Sequence, residues 1–182
     1  NLQAYIDNLQ QDSVVVLHQM GSHGPEYFKR VPKAFEKFTP VCTSNALNEC
    51  SREEIVNAYD NTILYTDHVL ATLIDLLRKN QDQLDSGMLY LSDHGESLGE
   101  NGIYLHGLPY MLAPEAQTHI PLIVWQSEEY MANNHTSHAA LNTLANNAYS
   151  HDNITHTLLG FFKVQTSLYQ KELDMFTIDA AK

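Results

Sequence analysis

The apolar positions of this chain follow two rhythms. Three short runs, Val14-Val15-Val16-Leu17, Met88-Leu89-Tyr90-Leu91 and Pro121-Leu122-Ile123-Val124-Trp125, read as buried strands. Between the first two, Ile55, Tyr59, Ile63, Thr66, Leu70, Leu73 and Leu77 recur at three- and four-residue spacing, which predicts one long amphipathic helix over about 51–79. Ser51 with Glu54 makes a capping-box pattern at its start, and Arg78 and Lys79 suit the negative end of its dipole. A second helix is predicted over 139–149. A third starts from a cap at Asp152 or Asn153 and runs to Phe162, with Ile154, Leu158, Leu159 and Phe162 facing inward. Two long loops remain, from Gln19 to about Cys50 and from Asp93 to His119, both rich in Gly and Pro. Loops of that length inside a compact domain tend to be functional. Strands alternating with helices predict an α/β layered fold around a mostly parallel central sheet, with ligands gathering beyond the carboxyl ends of strands. Three strands are few for such a sheet, so the fold is expected to be incomplete. A chain that opens on Asn1 reads as a piece of something longer.

Composition narrows the partners. The 182 residues suffice for one domain with a real core. Ten Lys and Arg stand against 22 Asp and Glu, a net charge of -12. That balance excludes a basic polyanion-binding surface, so no nucleic-acid partner is expected, and it disfavours adhesion to an anionic membrane. No stretch approaches the roughly 18 consecutive apolar residues of a membrane helix. Cys42 and Cys50 are the two cysteines, with seven residues between them. A disulfide there would suit an oxidising compartment, and two free thiols are the alternative. The spacing is too wide for the usual zinc pair.

Candidate chemistry concentrates at Ser92-Asp93-His94-Gly95-Glu96, directly after the second strand, and at His106 twelve residues beyond His94. Asp93 and His94 can serve one ion only if the strand ends there and the chain bends, which Gly95 permits. Oxygen and nitrogen donors without Cys suit zinc or manganese in an open catalytic site. His23, in Gly21-Ser22-His23-Gly24-Pro25, is presented by an unusual backbone path after the first strand. His18 reads as structural or as an orienting partner of ligands, His119 as structural, and His135 and His138 as surface residues. Glu96 and Glu100 read as solvated or helix-capping carboxylates, and His151-Asp152-Asn153 as a helix start. No Gly-x-Ser-x-Gly elbow or P-loop is present, and nothing marks Thr39, Thr43 or Ser44 as an activated nucleophile.

Several segments taken together resemble the bacterial phosphoethanolamine transferases, in particular the lipid A enzymes that include the mobile colistin-resistance proteins. They are Val16 through Pro25, Tyr59 through Tyr65, Ser92 through Gly107, Gln117 through Pro121, and Ser150 through Asn153 with His156 through Gly160. The resemblance implies an alkaline phosphatase-like α/β fold in the periplasm, attached to the inner membrane by helices upstream of this chain. It implies one or two zinc ions, with Asp93 and His94 as ligands and a Glu and a nucleophilic Thr supplied from upstream. It implies that His23 and His106 line the pocket as catalytic and substrate-binding residues, and that Cys42 and Cys50 form a disulfide. The expected reaction moves phosphoethanolamine from phosphatidylethanolamine to a lipid A phosphate. Alternatives are another periplasmic acceptor, such as a glucan, or a catalytically inactive fragment. A sulfatase would need a formylglycine-generating Cys motif, and neither Cys42 nor Cys50 has that context. The 182 residues alone are expected to be inactive, to hold zinc poorly and to associate, with a companion chain as one possible source of the rest of the domain.

Overall fold

The structure is a computed structural model that describes residues 1–134 and 136–177. His135 therefore lies outside the described residues. In chain order the helices and strands are α1 (Leu2–Ile6), α2 (Arg52–Lys79), β1 (Gly87–Leu91), β2 (Ser97–Leu98), β3 (Tyr104–Leu105), α3 (Glu115–Thr118), β4 (Leu122–Gln126), α4 (Glu128–Asn133), α5 (His138–Leu144) and α6 (Asp152–Phe161). The chain divides into two compact units, Val16–Ser127 and Asn1–Val15 with Glu128–Lys182.

In the Val16–Ser127 unit, α2 is the frame. Its capping box is complete: the Ser51 side chain accepts from the Glu54 N–H, and the Glu54 carboxylate accepts from the Ser51 N–H at 2.8 Å. The Ser51 N–H, and then the Ser51 hydroxyl, both donating to it, hold the Glu54 carboxyl below its usual range. Ile55 and Ala58 pack with Tyr27, Cys42 and Leu47 into the buried core. At its middle the buried face is rotated from the expected one: Asn61 and Thr62 are buried and Ile63 is exposed, while Ile55 and Leu70 are buried as expected. The reason is polar. The Asn61 side chain accepts from the N–H groups of Lys37 and Phe38 at 2.8 and 2.9 Å and donates to the Phe38 carbonyl. The Thr62 hydroxyl donates to the Tyr59 carbonyl at 2.6 Å and is hydrogen-bonded to Ser22 Oγ at 2.7 Å, beside His23. The long loop after His18 is thus tied to α2 by side chains, with 3₁₀ turns at Tyr27–Lys29, Lys33–Phe35 and Leu47–Glu49. The Cys42–Cys50 disulfide closes the segment before α2.

The α/β class holds, with two corrections. Both strand pairs among the described residues are antiparallel, β1 with β4 (Leu89 opposite Val124) and β2 with β3 (Ser97 opposite Leu105), so no parallel ladder is found there. Val14–Leu17 is not a buried strand: it joins no ladder and is exposed, Val16 at 82%. A strand exists through its neighbours' hydrogen bonds, and none of the described strands pairs with this run. The loop 93–119 is also less irregular than expected, because β2, β3 and α3 fall within it.

In the other unit, α4 and α6 meet through Tyr130 stacked on Phe161 at 4.2 Å. The predicted helix over 139–149 is shorter, ending at Leu144. Neither Asp152 nor Asn153 is the cap of α6. The Ser150 hydroxyl accepts from the Asp152 N–H at 3.2 Å, and Asn153 Oδ1 instead accepts from the Ser150 N–H at 2.8 Å. No described helix is long and apolar enough to cross a membrane.

Candidate metal centre

Three loop segments of the Val16–Ser127 unit bring His23, His94 and His106 together, with their candidate ligand atoms all within 4.8 Å of one another. The His94 and His106 rings stack at 3.8 Å, and His23 meets each of them edge-on, at 5.8 and 4.9 Å. Each segment is held in place by its own contacts. His23 sits between Ser22, bonded to α2, and Gly24, whose N–H donates to Glu96 Oε1 at 3.1 Å. A Cβ on Gly24 would meet Leu105 at 2.5 Å and the Tyr27 hydroxyl at 2.7 Å, so only glycine fits. His94 lies three residues past the end of β1. Gly95 beside it has no left-handed φ; what it supplies is room, since its Cβ would lie 2.0 Å from the Ala116 carbonyl oxygen. The Gly95 N–H donates to the Gln117 carbonyl at 3.0 Å, which pins the chain after Asp93-His94 against α3.

The hydrogen bonds decide the tautomers. His23 Nδ1 lies 2.6 Å from the Gly24 carbonyl oxygen, His94 Nδ1 lies 3.0 Å from the Gly95 carbonyl oxygen, and His106 Nδ1 lies 3.0 Å from Glu96 Oε1. Each partner can only accept, so in the neutral rings Nδ1 carries the proton and Nε2 keeps the lone pair. Three imidazoles in this tautomer, close together, form a donor set suited to a borderline metal such as zinc. Zinc–nitrogen bonds of 2.0–2.1 Å place tetrahedral donors roughly 3.4 Å apart, against candidate ligand atoms that lie within 4.8 Å of one another here. Asp93 is 81% exposed in its side chain, and its Oδ1 lies 3.8 Å from His94 Nε2. Asp93 thus lies beside His94 without belonging to the histidine group, and His94 lies against His23 and His106.

Glu96 corrects the sequence reading. It is buried at 8% and neither solvated nor a cap. Oε1 accepts from Gly24 N–H and from His106 Nδ1, and Oε2 accepts from the Tyr27 hydroxyl at 3.2 Å. Burial and the Glu96 carboxylate push the Tyr27 phenol well above its ordinary range. The signal available in sequence was the Glu two residues after a His candidate, which is weak without the distant Gly24 and Tyr27. Glu100 is half-buried. It accepts from Leu98 N–H at 2.7 Å and pairs with Arg52 at 3.2 Å. His18 is exposed and outside the histidine group, and His119 is exposed beside Glu115. His138 is exposed beside Glu128, as expected of a surface residue. Ser44 serves a local turn, accepting from Ala46 N–H and donating to Glu49. The disulfide expected between Cys42 and Cys50 is present.

The family is defined at this point: the sulfatase family profile matches residues 1–164, and the chain belongs to that family. Within it, the chain is similar to transferases of phosphoethanolamine. It is 49% identical to phosphoethanolamine transferase EptA of Salmonella typhimurium over 96% of this chain and 32% of that protein. It is 47% identical to phosphatidylethanolamine transferase Mcr-2 of Escherichia coli over 85% of this chain and 27% of that protein. Among solved structures, the carboxy-terminal periplasmic domain of phosphoethanolamine transferase EptC from Campylobacter jejuni superposes with a TM-score of 0.87 at 48% identity, over 96% of this chain and 54% of that one. The integral membrane lipooligosaccharide phosphoethanolamine transferase A from Neisseria meningitidis superposes with a TM-score of 0.91 at 43% identity, over 96% of this chain and 33% of that one. The chain thus spans about a third of the length of the curated relatives it matches.

Proposed function

We propose that this chain is the carboxy-terminal part of the catalytic domain of a periplasmic, inner-membrane-anchored phosphoethanolamine transferase acting on lipid A. The observation that carries the reading is the histidine group beside Asp93, with every Nδ1 committed to an acceptor. It stands in a chain 49% identical to EptA. Asp93 and His94 are the residues that would hold zinc, with His23 and His106 available to a second ion or to substrate. Zinc bound there would supply Lewis acidity, lowering the pKa of a coordinated hydroxyl and polarising a phosphoryl oxygen.

The transfer is two displacements at phosphorus. A Thr hydroxyl outside these 182 residues attacks the phosphodiester of phosphatidylethanolamine; the bond to diacylglycerol breaks and a phosphoethanolamine–Thr ester forms. A lipid A phosphate then takes the group and restores the Thr. In each displacement His23 and His106 offer Nε2 lone pairs, which can take a proton from an attacking hydroxyl or accept a hydrogen bond from the ethanolamine ammonium. Glu96 fixes the plane of the His106 ring, so the lone pair stays aimed. The net charge of -12 makes it improbable on electrostatic grounds that the chain itself adheres to anionic lipid, so attachment falls to helices elsewhere in the protein. Modified lipid A carries less negative charge, which accounts for the association of such enzymes with colistin resistance.

The test expresses the complete reading frame in a Gram-negative host and reads lipid A by mass spectrometry. Wild-type protein is expected to add phosphoethanolamine, and His94→Ala is expected to abolish the addition at equal protein level. Unmodified lipid A in both strains overturns the lipid A assignment. A phosphoethanolamine group found on another envelope component would then identify the acceptor.

A further inference from the structure

Asp93, His94 and His106 line a cavity of about 320 Å³ together with the apolar Leu108, Tyr110, Ala113 and Ile120 and the polar Gln117 and Thr118. Leu108, Tyr110 and Ala113 belong to one turn. Between His106 and Glu115 the sequence is Gly107-Leu108-Pro109-Tyr110-Met111-Leu112-Ala113-Pro114, without a charge. Tyr110 is 85% exposed, Met111 94% and Leu112 71%. The turn is a built one: the Pro109 carbonyl accepts from Leu112 N–H at 2.7 Å and from Ala113 N–H at 3.0 Å, while Tyr110, Met111 and Leu112 are exposed. An exposed apolar cluster at the mouth of a polar site marks a contact surface.

Resting on the transferase reading above, we propose that Tyr110, Met111 and Leu112 form an apolar rim that holds the acyl-glycerol part of the glycerophospholipid donor while its phosphodiester lies at the histidines. The match is one of chemistry. A glycerophospholipid joins a charged head and acyl chains at one phosphorus, and one cavity lining brings imidazoles and apolar side chains together. Phosphatidylethanolamine carries no net charge, so contact with its acyl-glycerol part rests on desolvation of apolar surface, which an uncharged rim supplies. A Tyr at the edge of such a rim suits the boundary between head groups and chains.

The test uses the complete protein in detergent micelles. In the first arm, Tyr110→Trp is mixed with phosphatidylethanolamine carrying brominated acyl chains, and its emission is compared with that of the wild-type protein. The expected result is quenching of the added tryptophan by brominated lipid and none by the unbrominated lipid. Emission that is already blue-shifted without lipid and is not quenched overturns the proposal and assigns the turn to a contact with the rest of the protein. In the second arm, Met111→Ser is assayed with diacyl phosphatidylethanolamine and with the head-group donor glycerophosphoethanolamine. The ratio of kcat/KM for the two donors should fall about tenfold, the loss expected for one apolar side chain removed from a lipid contact. An unchanged ratio overturns the proposal while leaving the transferase reading intact. Wild-type protein inactive on both donors overturns the transferase reading, and the quenching arm then still decides the fate of the rim.

Discussion

Glu96 receives hydrogen bonds from three separate parts of its unit: the Gly24 N–H, the Tyr27 hydroxyl and the His106 ring. A carboxylate suits this position because it only accepts. Glu96→Ala removes all three bonds and leaves buried donors unpaired, a loss of about 2–4 kcal/mol in unfolding free energy. Glu96→Gln is milder, because the Tyr27 hydroxyl can turn to accept from the amide. Both variants release His106 from a charged partner, so zinc affinity is expected to fall by about 10- to 100-fold. Thermal unfolding beside zinc titration against a chromophoric chelator separates the two effects. Equal stability and equal zinc affinity in all three proteins would remove Glu96 from the site. The role of this residue was hidden in the sequence because its partners lie 72 and 69 positions away. The histidines, by contrast, were legible from motifs that sit at chain bends.

Elements divide in the same way between local and distant causes. The helix α2 was legible nearly to the residue, since a capping box and a 3.6-residue period are written in adjacent positions. Its rotation was not, because Asn61 and Thr62 are drawn inward by loop backbone and by Ser22. The Val14–Leu17 run has a strand's composition without a strand's neighbours, and composition alone does not supply a ladder. The disulfide is an element-scale device that holds the entry to α2. Cys42 is buried in the core with Tyr27, Leu47, Ile55 and Ala58, and its N–H donates to the Glu54 carbonyl at 3.0 Å. Closing so short a loop restricts the unfolded chain by about 2.5 kcal/mol. The double variant Cys42→Ala with Cys50→Ala is therefore expected to lose about 2–3 kcal/mol in urea unfolding. Wild-type protein under reductant should lose a similar amount. A double variant as stable as wild type would mean that burial of the core, and not the cross-link, sets the conformation before α2.

At the scale of the whole molecule, stability should fall at alkaline pH. The net charge is already -12 at neutrality, and each further ionisation adds to repulsion within the chain. The buried phenols resist that ionisation. Tyr27 is raised chiefly by burial and then by Glu96, and Tyr59 is raised by burial and by the same carboxylate. A phenol in the unfolded chain titrates near its ordinary value of 10.0. Above that pH the unfolded state has released the proton that the folded state still holds, so the unfolded state is favoured. The stabilisation is complete below about pH 10 and declines as pH rises toward the folded-state value, by up to about 1.4 kcal/mol per pH unit for one group. Tyr27→Phe removes one such phenol. It should be less stable than wild type at neutral pH by about 1 kcal/mol, having lost the bond to Glu96. Its stability should then fall less steeply above about pH 10, so the two melting curves converge as pH is raised. Urea unfolding at a series of pH values from about 8 to about 11 reads this directly. Parallel loss in the two proteins across the range would mean that Tyr27 ionises in the folded state as it does in water, and the closed hydrogen-bonded arrangement of Tyr27, Glu96 and His106 would have to be abandoned.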